Sequence, residues 1–293
     1  MRAAFPGIKD GRPFGTFALI WALPEEQRRE IAWIELGEDA TLAARGRQWC
    51  EDEPSYALEY ALETSPGYVT KRLHVSVVGG ADLTLLRGRS PELDGIADCD
   101  LGFSPLTNAM PVLRDRLDTS GKPFEIDVAW VSVPDLTVHR DHQIYEAKGA
   151  RHVRFRSPAA DFERTIALTH SGFVLDYPDI AQLVTTILRV PLEAITGWDS
   201  FYDVVAAALE LPPRPARVID VWVECLAQCD RSSGGRRYEI PRGTTLTLQL
   251  DGLPEFAARC PEQHAALFGA IAEINRRRSD EGEPAVLALS ASG

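Results

Sequence analysis

The stretch YALEYALE, Tyr56 to Glu63, decides the first half of the fold. Tyr56, Leu58, Tyr60 and Leu62 alternate with Ala57, Glu59, Ala61 and Glu63. That is the period-2 pattern of a strand with one buried face. Val69, Leu73, Val75 and Val77 share one face of the next such run. Phe124, Ile126, Val128 and Trp130 repeat it, and so do Phe162, Ile166 and Leu168. Turn residues stand between these runs: Ser65-Pro66-Gly67, Gly79-Gly80 and Thr119-Ser120-Gly121. Short turns between successive strands predict an antiparallel sheet, which must curl or hold a helix to cover one face.

From about residue 190 the period changes. Trp198, Phe201, Val204, Val205, Ala208 and Leu209 recur at helical spacing, with Thr196 or Asp199 as candidate caps. Pro212-Pro213-Arg214-Pro215 ends that helix. Ile219, Trp222, Val223 and Leu226 open a second, Thr245 to Leu250 alternates as a strand, and Pro261 begins a third helix. Val286 to Leu289 reads as a last strand. Strands separated by helices predict a small α/β layer with parallel pairing. The chain is thus expected to be α+β with two domains, 29–186 and 187–293, behind an extension of residues 1–28.

The composition narrows the function. The 293 residues carry a net charge of −12 with 45% hydrophobic residues. A nucleic-acid binder needs a basic footprint, so neither nucleic acid nor an anionic membrane surface is the expected partner. Five cysteines are too few and too odd in number for a disulfide framework, so a reducing, cytoplasmic location is expected. The apolar run Phe17 to Leu23 is far short of the ~20 residues of a membrane span.

Several clusters carry polar chemistry. Asp98 and Asp100 share one face of an extended segment beside the turn Ser104-Pro105-Leu106-Thr107-Asn108. Paired carboxylates can do acid–base work, but they more often bond turn amides or a ligand. His139 and His142 point to opposite faces of a strand, so they do not form a metal site. Arg154 and Arg156 share a strand face that solvent or an anion would occupy. Cys225 and Cys229 lie on one helix face without the spacing of a zinc site. No phosphate loop, nucleophile elbow or dinucleotide fingerprint occurs. No cofactor, metal or catalytic residue is assigned.

Residues from about 31 to 185 resemble the bacterial putative glycolipid-binding family. The matching runs are Tyr56 to Tyr60, LDGIADCDLGFSPLTNAMPVLR (Leu93 to Arg114), FEIDVAWVSVPDLTV (Phe124 to Val138) and GFVLDYPDI (Gly172 to Ile180). The resemblance implies a lipoprotein-carrier-like half-barrel, an antiparallel sheet curved round a hydrophobic groove for a lipid-like ligand. It implies that Asp98, Asp100, Thr107, Asn108, Arg114, Asp127 and Asp135 are shared polar positions.

Residues from about 188 to 293 resemble the barstar-like ribonuclease-inhibitor family. The carriers are ITGWDSFYDVVAAALELP (Ile195 to Pro212), IDVWVECL (Ile219 to Leu226), INRRR (Ile274 to Arg278) and EPAVLALS (Glu283 to Ser290). The resemblance implies a three-stranded parallel sheet with helices. It also implies that the loop before Ile219 and the helix from it plug a basic toxin's active site. Asp220 and Glu224 match the family's acidic contacts, and at i, i+4 they share one helix face. Where the family has an aromatic pair, Gly and Asn, this chain has Arg214, Pro215, Ala216 and Arg217, so either a different target or a domain that serves only as scaffold is implied. The leading expectation is an immunity-type protein that binds a cognate toxin 1:1 through Glu210, Arg214, Arg217, Asp220, Trp222 and Glu224. The rival is a carrier or sensor of a glycolipid or other lipid-like ligand.

Overall fold

A computed structural model describes residues 7–9, 12–23, 25, 27–115, 122–149, 151–169, 171–209, 219–227, 240, 242 and 244–292. The backbone divides into a strand-rich unit, chiefly residues 19–183, and a C-terminal unit from 184 onward together with 15–18.

The strand-rich unit begins with β1 (Gly7–Lys9) and β2 (Arg12–Leu23). A meander follows: β3 (Arg28–Leu36), β4 (Leu42–Cys50), β5 (Tyr56–Ser65), β6 (Val69–Val77) and β7 (Asp82–Leu86). Each strand from β3 to β7 pairs antiparallel with the next. The alternation of the sequence is the alternation of burial: Ala32, Ile34, Leu42, Ala44, Leu58, Leu62, Leu73 and Val75 are buried, while Arg45, Arg47 and Glu59 stand outside.

The second series is β8 (Asp98–Leu101), α1 (Ala109–Asp115), β9 (Phe124–Val131), β10 (Val138–Ala147), β11 (His152–Ser157), β12 (Phe162–Leu168), β13 (Val174–Tyr177) and β14 (Ala181–Val190). Strands β9 to β14 are antiparallel neighbours. The β8–β9 pair is parallel, Asp98 opposite Val128 and Leu101 opposite Val131. The sheet is therefore mixed, curved and open, as fits a half-barrel, and the purely antiparallel expectation is corrected here. The cause is length: segment 102–123 is long enough for a crossover and carries α1 across it.

The two series meet through backbone groups. Thr70 N–H donates to Ala97 O at 2.8 Å, and Cys99 N–H donates to Thr70 Oγ1 at 2.9 Å. Arg87 donates to the carbonyls of Thr70, Leu93, Ile96 and Ala97, so one guanidinium closes a turn that would otherwise leave buried acceptors.

Residues 12–23, expected within an extension, form a strand of the sheet between β3 and β14. Trp21 is fully buried, and its indole N–H donates to Val174 O at 2.8 Å. A continuous apolar run is what a strand covered on both faces requires.

In the C-terminal unit, α2 (Trp198–Ala208), α3 (Ile219–Ala227), β15 (Thr245–Asp251), α4 (Leu253–Arg259), α5 (Pro261–Asp280) and β16 (Leu287–Ser292) follow β14. Thr185 to Val190 of β14 runs parallel to Thr245 to Leu250, and Leu246 to Asp251 runs parallel to Leu287 to Ser292. The cap of α2 is Gly197 rather than Thr196 or Asp199; Ser200 Oγ accepts from the N–H of Thr196 and of Gly197. Arg278 is 1% exposed. It donates to Pro284 O at 2.8 Å and to Ala227 O at 3.1 Å, satisfying a carbonyl at the end of α3. Asn275 bonds Val286 and Leu287, holding α5 to β16.

Candidate functional site

In the strand-rich unit, inward residues of β9 to β13 build an aromatic cluster. Phe124 stacks on Tyr145 at 5.1 Å, and Phe155 meets Tyr145, Phe162 and Tyr177 at 5.2, 6.1 and 6.0 Å. The rings do not fill the space they surround. A cavity of about 460 Å³ remains, within the usual size of a small-molecule site. Phe155, Phe162, Tyr177 and Ile180 form its apolar wall, with Phe103 and Trp130 also lining it.

One end of the cavity is polar. Gln143 Nε2 donates to Asp100 Oδ2 at 2.7 Å and to Asp141 Oδ2 at 3.2 Å. Its Oε1 accepts from Tyr145 O–H at 3.0 Å, and Asn108 Nδ2 donates to that phenol at 3.2 Å. Thr107 O–H donates to Asp100 Oδ1 at 2.7 Å, and Ser157 O–H donates to Asp141 Oδ1 at 2.8 Å. The network is fully connected, which fixes each side chain in one arrangement. Burial pushes the Asp100 carboxyl up to about 6, against hydrogen bonds from Thr107 and Gln143 that pull it down.

The neighbouring carboxylate behaves differently. Asp98 is 1% exposed and receives both arms of Arg114, at 2.8 and 2.7 Å. Burial disfavours the guanidinium charge, but the bonds and field of Asp98 hold its pKa above the ordinary value. This fork-to-fork pair ties α1 to β8 and leaves Asp98 no part in the cavity.

Of the residues singled out in the sequence, Asp98, Asp100, Thr107, Asn108 and Arg114 come together around β8 and α1. Asp127 does not. It stands on β9, bonded to Arg140 at 2.7 Å and His142 at 3.0 Å, and those bonds hold it below the usual carboxylate range. Asp135 closes a surface turn through Ser132 and Thr137. Arg154 pairs with Glu163 at 2.8 Å, the solvated reading of that strand face.

Sequence reasoning missed Gln143, Asp141, Phe103 and Glu30. Parity along β10 would have placed residues 141, 143 and 145 on one inward face. Phe103 has φ +62°, uncommon for a bulky residue, and the Arg28 guanidinium lies 3.6 Å over its ring. Gly102 makes that turn possible, since a Cβ there would meet Val131 O at 3.0 Å. Glu30 is buried on β3 and accepts from Tyr60 O–H at 2.7 Å, Ser104 O–H at 2.9 Å and Gln48 Nε2 at 3.2 Å. Tyr60 reaches it by lying over Gly46, where a Cβ would meet the ring at 2.2 Å. Burial pushes the Glu30 carboxyl up to about 7, although these three bonds oppose it.

On α3, Asp220 and Glu224 are exposed, whereas Trp222 is 3% exposed and packs on Phe201 and Tyr202 at 5.4 and 5.3 Å. Trp222 is thus core rather than a surface contact, because it lies on the helix face opposite the two acids. Glu210, Arg214, Arg217 and Cys229 lie outside the described residues. No described helix is long and apolar enough to cross a membrane.

The family model described as "Putative glycolipid-binding" matches residues 18–183. The model described as "Barstar (barnase inhibitor)" matches residues 185–290. Neither description is that of a catalytic family. Among solved structures, a DUF1089 family protein from Pseudomonas aeruginosa is 26% identical over 52% of this chain and 91% of that one, with a TM-score of 0.44. No curated protein matches. Residues 18–183 span more than half of the chain, and the chain belongs to the putative glycolipid-binding family, with a barstar-like region after it.

Proposed function

We propose that this chain is a non-catalytic binding protein whose strand-rich unit holds a glycolipid or other lipid-like molecule. The observation that carries this reading is the cavity of about 460 Å³, apolar along Phe155, Phe162, Tyr177 and Ile180 and polar at Asp100, Asp141 and Gln143. An apolar body with one polar end fits that division. Catalysis is disfavoured by the same geometry. Asp98 is neutralised by Arg114, so the two aspartates of β8 do not act as an acid–base pair. Native mass spectrometry of untagged protein from its own host tests the reading. A discrete added mass that disappears in Phe155→Asp supports it; an empty protein whose melting temperature no amphiphile raises overturns it.

A second reading concerns the C-terminal unit: stoichiometric inhibition of a protein toxin, a nuclease among the candidates. It rests on the exposed pair Asp220 and Glu224 one turn apart on α3, together with the barstar match. Such a pair suits a basic cleft, which it would occlude by charge complementarity. Glu210, Arg214 and Arg217 are proposed to complete that surface and set its specificity. A 1:1 partner that is lost on charge reversal of Asp220 and Glu224 supports this reading. A partner that binds the double variant unchanged removes the helix from it.

A further inference from the structure

The cavity ligand can be specified further from charge, an inference that rests on the lipid-like reading above. Three carboxylates lie close together on β8 and β10, and the structure treats them unequally. Asp98 has a bidentate cation, Arg114. Asp100 and Asp141, both partly open and both lining the cavity, have none among the described residues. Their only described donors are neutral: Thr107 and Gln143 for Asp100, Ser157 and Gln143 for Asp141. Each carboxylate oxygen receives one hydrogen bond and has capacity for a second. Gln143 has spent both N–H groups on these two carboxylates, and its oxygen is taken by Tyr145. Arg140 and His139 also line the cavity, but Arg140 is paired with Asp127 at 2.7 Å and His139 stacks on Trp130 at 6.1 Å, and neither bonds Asp100 or Asp141 among the described contacts.

Two carboxylates bridged by one neutral amide in an apolar cavity leave charge uncompensated, and low dielectric makes that costly. A cationic ligand would supply the counter-charge that no described side chain gives these two carboxylates. Aromatic residues Phe155 and Tyr177 line the cavity as well, and aromatic rings attract cations. We propose that the cavity takes an amphiphile with a primary ammonium head, the ammonium donating to Asp100 and Asp141 and the apolar body lying along Phe155, Phe162 and Ile180.

The test titrates the full chain by calorimetry with dodecylamine, dodecyl glucoside and dodecyl phosphate, each below its micellar threshold. Dodecylamine is expected to bind 1:1 and at least tenfold more tightly than the glucoside, with the phosphate weakest. Asp141→Asn, which retains an acceptor for Ser157, is expected to weaken the amine at least tenfold and to change the glucoside by less than threefold. A glucoside that binds as tightly as the amine overturns the ammonium head and leaves the lipid-like cavity standing. No binding by any of the three overturns both. The comparison of the three amphiphiles uses the unaltered chain, so it decides the matter even where Asp141→Asn does not fold.

Discussion

Glu30 is a buried and Asp100 a half-buried carboxylate of the strand-rich unit, and segment 100–108 serves both. Ser104 donates to Glu30, and Thr107 donates to Asp100 and to Ser104 O. Their surroundings differ. Around Glu30 the meander β3 to β5 closes completely: Tyr60 lies on Gly46, and Gln48 is held by Gly102 O. Around Asp100 the second series stays open, and the carboxylate lines a cavity. A buried acid sealed in by its donors is part of the framework, whereas one that lines an empty space is positioned to receive something. Asp98 is a third case, sealed and neutralised by a cation.

The largest expected effect breaks that third case. Arg114→Met leaves Asp98 buried without its partner, and removal of one member of a buried pair costs ~3–5 kcal/mol. Urea unfolding measures it, and Asp98→Asn in the same chain should restore most of the loss. A loss below ~1 kcal/mol would mean that water, not Arg114, satisfies Asp98.

Next comes the sealed acid. Glu30 has its carboxyl raised from 4.5 to about 7 in the folded chain. Between those values the unfolded chain ionises and the folded one keeps its proton, so stability falls as pH rises from about 4.5 through about 7. At 1.36 kcal/mol per pH unit the loss is about 3 kcal/mol, complete above the folded value. Glu30→Gln should remove this slope from the melting-temperature profile between pH 5 and 8; an unchanged slope would assign it to other groups.

Phe103→Gly sharpens the boundary between the two regions. It releases a left-handed φ worth ~1–3 kcal/mol of strain and loses a cation–π contact with Arg28 worth ~1–2 kcal/mol. The net change in thermal stability is expected to lie within ~1 kcal/mol of zero. A large loss would make the ring a structural plug rather than a cavity wall.

The smallest expected effect belongs to the exposed acids. Asp220→Lys with Glu224→Lys should alter stability by no more than ~0.5 kcal/mol, as for other surface changes. A clear loss on thermal unfolding would show that these side chains serve the fold.

Local pattern carried much of this. Alternation located β5, β6, β9 and β12, helical spacing located α2 and α3, and Pro261 marked the start of α5. Asp98 and Asp100 beside the turn with Thr107 and Asn108 were also readable, because turns and paired acids leave a residue-type signature, whereas Arg114 was implied only by the family resemblance. Helix α4 and the parallel β8–β9 pair were not, since a short helix and a crossover carry little period of their own. Strand β2 was hidden for the opposite reason, a run so apolar that no alternation remains.

The sequence alone settled which faces are apolar, because side-chain period is a local property of the backbone. It could not say which of three neighbouring carboxylates would meet a cation, which would be sealed, and which would line a cavity. Those outcomes depend on Arg114, Gln143 and Tyr60 arriving from distant parts of the chain. Burial and Coulomb energies are fixed by such distances in space, and only the tertiary structure sets them.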